Sequence, residues 1–157
     1  MSPEFFAHLR PLHSAFEELI ASPRYPLIDP VTRPPKSGGV YVFWSNGKAL
    51  YVGRCRNLRQ RLAGHHLPSM GTQSAGFAYR LARIATGHVT PTYRSGRGSR
   101  KWLQTDPEFM AAFATAKSKV AAMSVQYVVM EDDITQALLE IYCAVALQTP
   151  HNSFRTT

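Results

Sequence analysis

Glu140 is the only charged residue in the run from Ala137 to Leu147. A carboxylate among that many apolar neighbours needs a cation or hydrogen-bond donors, because an unpaired buried charge is strongly destabilising. Two partners meet the need. One is a structural arginine. The other is a divalent cation whose remaining positions are filled by water and phosphate oxygens. Arg61 and His65 stand four residues apart and share one face if their segment is helical. A fixed guanidinium suits the charge that builds on non-bridging phosphoryl oxygens. The plainer alternatives are a surface cation and an exposed histidine at a helix end. Tyr41 and Tyr51 sit in two short apolar runs, as phenols available for proton chemistry or as aromatics packed on a core. Asn152 follows the last apolar run, either as a turn residue or as a contact to a site. Cys55 lies between Arg54 and Arg56, a setting that favours thiolate. No acid and base accompany it, and it is given no role. The cysteines and histidines lack zinc-ligand spacing.

The cations have their own pattern. No acidic residue occurs between Asp29 and Asp106, while Arg33, Lys36, Lys48, Arg54, Arg56, Arg59, Arg61, Arg80, Arg83, Arg94, Arg97, Arg100 and Lys101 all fall in that gap. Such a single-sign field suits a polyanion, and nucleic acid leads. Arg54 and Arg56 are candidate DNA contacts. So are Arg94, Arg97, Arg100 and Lys101, in a Gly- and Ser-containing stretch where Tyr93 or Trp102 is placed to stack on bases. The plain alternative is a mobile basic loop on a soluble protein.

These residues need a frame. Residues 3–21 have helical spacing, with Phe5, Leu9, Leu12, Phe16 and Leu19 on one face. Five prolines make residues 22–38 an irregular connector. Gly39–Trp44 and Ala49–Gly53 read as two strands of a hairpin around Ser45-Asn46-Gly47. Asn57 caps a short helix to about His65, with Leu58 and Leu62 turned inward. Residues 74–86 have helical spacing again, in Phe77, Leu81 and Ile84. Residues 87–105 read as a loop. Asp106-Pro107 opens a helix to about Ala122, and Ser124–Met130 alternates as a third strand. Asp132 or Asp133 caps a last helix to about Gln148, apolar on nearly all sides and so largely buried. The expected fold is a small α/β (α+β) domain, a mainly antiparallel three-stranded sheet flanked by helices. Residues 1–38 would pack on a domain formed by 39–157. With 157 residues, 45% of them apolar and 18% charged, the chain suits one globular domain rather than a disordered one. No run approaches the length of a membrane span. Two cysteines are too few for a disulfide scaffold, and the N-terminal stretch lacks the apolar core of a signal peptide. A reduced, cytoplasmic protein is expected.

The ordered set Gly39-Val40-Tyr41, Tyr51-Val52-Gly53, Arg61, Glu140 and Asn152 resembles the GIY-YIG nuclease superfamily over roughly residues 39–152. Valine replaces isoleucine in both tripeptides, and Arg54 stands where lysine is common. His65 matches a histidine carried by restriction enzymes of the superfamily. The resemblance implies an endonuclease that hydrolyses DNA phosphodiesters by in-line attack of water, with one Mg²⁺ or Mn²⁺ on Glu140. It implies Tyr41 as general base, helped by nearby cations, and Tyr51 as the group orienting water or phosphate. Arg61 would stabilise the transition state and His65 would relay a proton. Asn152 would fix local backbone or contact the site. A shared site requires both tyrosines on one sheet face. That predicts a three-residue loop with Gly47 left-handed, Trp44 opposite Lys48 and Tyr41 opposite Tyr51; a two-residue turn with regular pairing would put the tyrosines on opposite faces. Two other readings stay open: an inert DNA-binding module of the same fold, and a nuclease selective for branched or damaged DNA. A homodimer through the face of Phe5, Leu9, Leu12 and Phe16 is a further possibility.

Overall fold

The computed structural model describes residues 2–29, 31–90, 92 and 94–154. It has an antiparallel sheet of four strands in the order β1-β4-β2-β3: β1 (Tyr25–Pro26), β2 (Gly39–Ser45), β3 (Lys48–Cys55) and β4 (Ser124–Val129). The sequence led us to expect three. The fourth, β1, is two residues long within the proline-rich connector, and it pairs with β4 through Tyr25 and Pro26. So short a segment carries no alternation to read. β2 lies between β3 and β4, which explains its unbroken apolar run: all of Gly39–Trp44 is buried.

The helices are α1 (Pro3–Leu9), α2 (Leu12–Ala21), α3 (Leu58–His66), α4 (Gly76–Ala85), α5 (Arg100–Leu103), α6 (Pro107–Ala121) and α7 (Asp133–Ala146). The single helix expected over 3–21 is broken at Arg10-Pro11. Pro11 has no N–H to continue the ladder, and the chain restarts at Leu12. Asn57, Asp106 and Asp132 each cap the following helix by accepting a backbone N–H, at 3.1, 3.2 and 2.7 Å. α5 was not expected. Ser99 caps it after a loop that turns through left-handed Gly96 and Gly98.

Two compact units divide the chain: residues up to Leu62 with Met123–Ser153, and Ala63–Ala122. In the first unit, α2 and α7 pack on one sheet face. The core there joins Leu12, Ala15 and Leu19 to Val40, Val42, Val52 and Val128, and to Leu139, Cys143 and Ala144. Phe5, on the predicted inner face, is 45% exposed. α7 is amphipathic rather than buried all round, with Ile134, Ile141 and Val145 exposed. It packs by one stripe only, as a helix on a sheet face does. In the second unit, α4 packs on α6. Phe77, Ala78, Tyr79 and Ala82 form the inner face of α4, and Ile84 is exposed.

Candidate active site

The hairpin sets the geometry. Asn46 and Gly47 have φ of 50° and 75°, the two left-handed residues of a two-residue turn, and Ser45 pairs with Lys48. The expected three-residue loop is therefore absent. Trp44 pairs with Ala49, Phe43 with Tyr51 and Tyr41 with Gly53, so the anticipated Trp44–Lys48 and Tyr41–Tyr51 pairs do not form. The register slips between Phe43 and Trp44, leaving Leu50 as one extra residue on β3. That bulge does what the longer loop would have done. Residues opposite one another share a face, so Tyr41, Phe43, Tyr51 and Gly53 all project to one side. The shared face predicted for the tyrosines is present; its cause is different.

Gly53 has a specific duty. A Cβ built there would run into Cζ and the hydroxyl of Tyr41, so the Tyr41 ring lies over a position only glycine can occupy. Tyr41 also meets Phe43 edge-on, with ring centroids 5.5 Å apart. Gly39 on the same face is closed over by Leu58 of α3. α3 thereby places Arg61, which is partly buried, on the tyrosine side of the sheet. Burial drives the Tyr41 phenol well above its ordinary range, and the neighbouring Tyr51 adds to this. Arg61 pulls the other way, and Cys55 and Glu140 push up more weakly. Arg61 has the expected sign but is outweighed by burial. Cys55 is likewise raised by burial, against its backbone hydrogen bonds and Arg61, so the flanking arginines do not make it a thiolate.

Glu140 comes from the opposite side. Arg54 lies across from Val40 and shares the face that α7 covers. Its Nε donates to Oε2 of Glu140 at 3.0 Å, with the carboxylate 23% exposed and the guanidinium 45%. Burial raises the Glu140 pKa even against the attraction and hydrogen bond of Arg54. A divalent cation beside the carboxylate would act in the same direction as Arg54, favouring the ionised form. Among the described residues no three His, Cys, Asp or Glu side chains converge. A metal there would rest on one carboxylate with water and phosphate oxygens, a donor set that fits Mg²⁺. Two groups therefore meet across edge strand β3: Tyr41, Tyr51 and Arg61 on one side, Arg54 and Glu140 on the other. Tyr41 feels the charges of Tyr51, Arg61 and Glu140.

Asn152 holds that edge. Its Oδ1 accepts from Val52 N and its Nδ2 donates to Val52 O, both at 2.8 Å. The side-chain amide thus pairs with β3 as another strand would. Thr149 Oγ1 donates to the same Oδ1 at 2.8 Å, and His151 N donates to Leu50 O at 3.2 Å. Of the two roles anticipated for Asn152, fixing the backbone is the one seen.

His65 lies one turn beyond Arg61 on α3 and is buried, not an exposed helix-end histidine. The candidate DNA contacts fall into two sets. Arg54 holds Glu140, Arg56 pairs with Asp133 at 3.1 Å, and Arg100 donates to Thr72 O at 2.8 Å while lying 4.0 Å over the Tyr79 ring. Arg94, Arg97 and Lys101 are exposed. Tyr93 lies outside the described residues. Sequence reasoning missed Lys117, a buried lysine on α6 whose Nζ donates to the carbonyls of Leu67, Pro68 and Met70 just after α3. Burial lowers its pKa. The signal was present: Lys117 stands on the stripe Phe109, Phe113, Ala116, Val120, where a lysine must find acceptors. No helix is long and apolar enough to cross a membrane among the described residues.

No family model and no curated protein matches the chain. Two solved structures are similar to it. Both are the GIY-YIG N-terminal endonuclease domain of UvrC from Thermotoga maritima, each a tyrosine-to-phenylalanine point mutant bound to its catalytic divalent cation. They are 14% and 13% identical to this chain. Each match covers 76% of this chain and 86% of the other, with a TM-score of 0.38.

Proposed function

We propose that this protein is a metal-dependent endonuclease that hydrolyses DNA phosphodiesters. The observation that carries the reading is the gathering of Tyr41, Tyr51, Arg61 and Glu140 about one edge strand whose backbone Asn152 locks. These residues, 99 positions apart at the extremes of Tyr41 and Glu140, have no common structural need to meet there.

Glu140 is the residue that would hold a single Mg²⁺ or Mn²⁺, and such an ion stabilises charge on phosphoryl and leaving oxygens. To do so, Glu140 must share or release the hydrogen bond from Arg54, freeing a cation beside the phosphate. Arg61 neutralises charge on the non-bridging oxygens as water attacks phosphorus in line and the bond to the 3′-oxygen breaks. Tyr51, partly exposed, orients the water or phosphate by its hydroxyl. Tyr41 begins the reaction as a neutral phenol, because burial disfavours its anion. Its first role is as a hydrogen-bond donor, and service as general base needs more positive charge than Arg61 alone supplies. His65 is the candidate proton relay from the helix that carries Arg61.

A second reading, a DNA-binding module without catalysis, is favoured by one observation: Arg54 already engages Glu140. Supercoiled-plasmid cleavage in Mg²⁺, Mn²⁺ or EDTA, with wild type beside Glu140→Ala, separates the two. Metal-dependent cleavage abolished by the substitution supports the nuclease. Salt-sensitive binding without cleavage, on plasmid and on branched duplexes alike, supports the module.

A further inference from the structure

The second unit carries a pocket that the nuclease residues do not use. It is an open depression of about 570 Å³ lined by the loop 94–99 and by α5, within the roughly 300–1,000 Å³ of ordinary small-ligand sites. Its walls are chemically of three kinds. Arg94 and Lys101 bring positive charge, Trp102 brings an aromatic face, and Ser95, Ser99 and Thr105 bring hydroxyls. Among the described residues no carboxylate lines it. Three features build it. Gly96 and Gly98 adopt φ of 113° and 86°, which only glycine takes without strain, and these fold the loop back. Ser99 N then donates to Gly96 O at 3.0 Å, and Ser99 Oγ accepts from Trp102 N at 3.2 Å, so α5 starts where its ring turns to the cavity. His88 buttresses that ring edge-on, with centroids 5.8 Å apart. The Arg97 guanidinium lies over the ring, 5.8 Å from its centroid, at the outer range of a cation–π contact that a stacking base would replace.

We infer that this pocket takes one unstacked nucleotide of a DNA strand, its base against Trp102 and its phosphate between Arg94 and Lys101. The inference rests on the nuclease reading above and names its substrate class: DNA that offers an unpaired nucleotide. The chemistry is selective. An aromatic face alone accepts many planar groups, and two cations alone accept any anion. An aromatic face and two cations lining one depression match a planar ring joined to an anion, the make-up of a nucleotide. A base within a regular duplex is stacked on both sides and cannot reach an indole in a pocket, so the occupant is extruded, bulged or single-stranded. Arg100 takes no part, because Thr72 and Tyr79 hold it.

The test is binding in EDTA, which needs no catalysis. Trp44 and Trp102 are the only tryptophans, so Trp44→Phe leaves Trp102 as sole reporter. Short oligothymidylate is expected to quench its emission. A duplex with a single-nucleotide bulge should bind more tightly than the same duplex fully paired. In the chain with both tryptophans, labelled bulged DNA should bind Trp102→Leu about tenfold or more weakly, the usual scale of one lost base stack. Trp102→Phe should restore most of the affinity. Lys101→Ala should flatten the dependence on salt without erasing the bulge preference. Thymidine monophosphate quenching as tightly as the oligomer would overturn the assignment in favour of a free nucleotide. Equal affinity for bulged and paired duplex, or Trp102→Leu binding like wild type, would also overturn it. Cleavage of plasmid and of the bulged duplex in Mg²⁺ is read separately. Quenching without any cleavage leaves the pocket and removes the nuclease, and cleavage with an indifferent Trp102 does the reverse.

Discussion

Asn152→Ala removes two hydrogen bonds of 2.8 Å to one residue, Val52, in the strand that carries Tyr51 and Gly53. A neutral hydrogen bond contributes about 0.5–1.5 kcal/mol net. Val52 lies on an edge strand, so water can partly replace the lost partners, and the expected loss is about 1–2 kcal/mol. For a chain of this length that lowers Tm by about 2–8 °C. Thr149→Val removes the hydroxyl that donates to the same Oδ1 and should cost about 0.5–1 kcal/mol. The two effects should not add. Once Asn152 is gone Thr149 has lost that acceptor, so the double variant should be less destabilised than the sum by about 0.5 kcal/mol. Urea melts of wild type, both single variants and the double variant give the cycle, and plasmid cleavage below the melting range gives the functional arm. If Asn152 orders the strand beneath the tyrosines, cleavage falls in Asn152→Ala at temperatures where the protein is fully folded. Stability and cleavage both unchanged would refute the clamp. Strict additivity would refute the shared acceptor.

Gly53→Ala should be among the most damaging single-methyl changes in the chain, since the new Cβ meets the Tyr41 ring. A loss of more than about 2 kcal/mol in urea melts is expected, and near-wild-type stability would show that the ring can move aside. Glu140 has a raised pKa in the fold, so its favourable contribution is complete below its unfolded pKa and is lost as pH rises through the folded value. Glu140→Gln should therefore match or exceed wild type in Tm at neutral pH, with the difference vanishing in acid; a Tm lowered at neutral pH would show that the Arg54 pair outweighs burial. Lys117→Met should leave the carbonyls of Leu67, Pro68 and Met70 without their shared donor. Destabilisation of about 1–3 kcal/mol is expected, and an unchanged urea midpoint would mean water takes the place of the ammonium.

Much of this arrangement was legible in the residues because local rules fixed it. Asn57, Asp106 and the pair Asp132-Asp133 announced three helices as candidate caps, and Asp132 is the one of that pair that accepts the capping N–H. The apolar run of β2 announced a strand, and Leu58 and Leu62 announced the inner face of α3. What stayed illegible depended on neighbours distant in sequence. Glu140 needed a cation, but nothing local said that Arg54 would supply it from the strand opposite. The apolar surround of Glu140 suggested a helix buried on all sides. Yet Ile141 and Val145 are exposed, because a single sheet face can cover only one stripe. Asn152 looked like a turn residue, and pairing with Val52 is visible only once β3 is known to be an edge. Cys55 between two arginines read as electropositive, and burial reversed that. β1 and α5 were too short to show a period.

The bulge at Leu50 makes the spacing between the two tyrosines a matter of parity. Side chains alternate along β3, so the face on which Tyr51 emerges depends only on whether the count of residues from Tyr41 is odd or even once unpaired ones are set aside. Here a two-residue turn plus one skipped residue gives the required answer. A three-residue loop with no skipped residue would give it equally well. What fixes the face of Tyr51 is therefore which residues stay unpaired, not how many the hairpin contains. Deleting Leu50 removes the unpaired residue and leaves Tyr51 opposite Phe43, so that variant should keep both tyrosines on one face. Taking Leu50 into the ladder, with the two-residue turn kept, would instead set Leu50 opposite Phe43 and turn Tyr51 to the wrong side of the sheet.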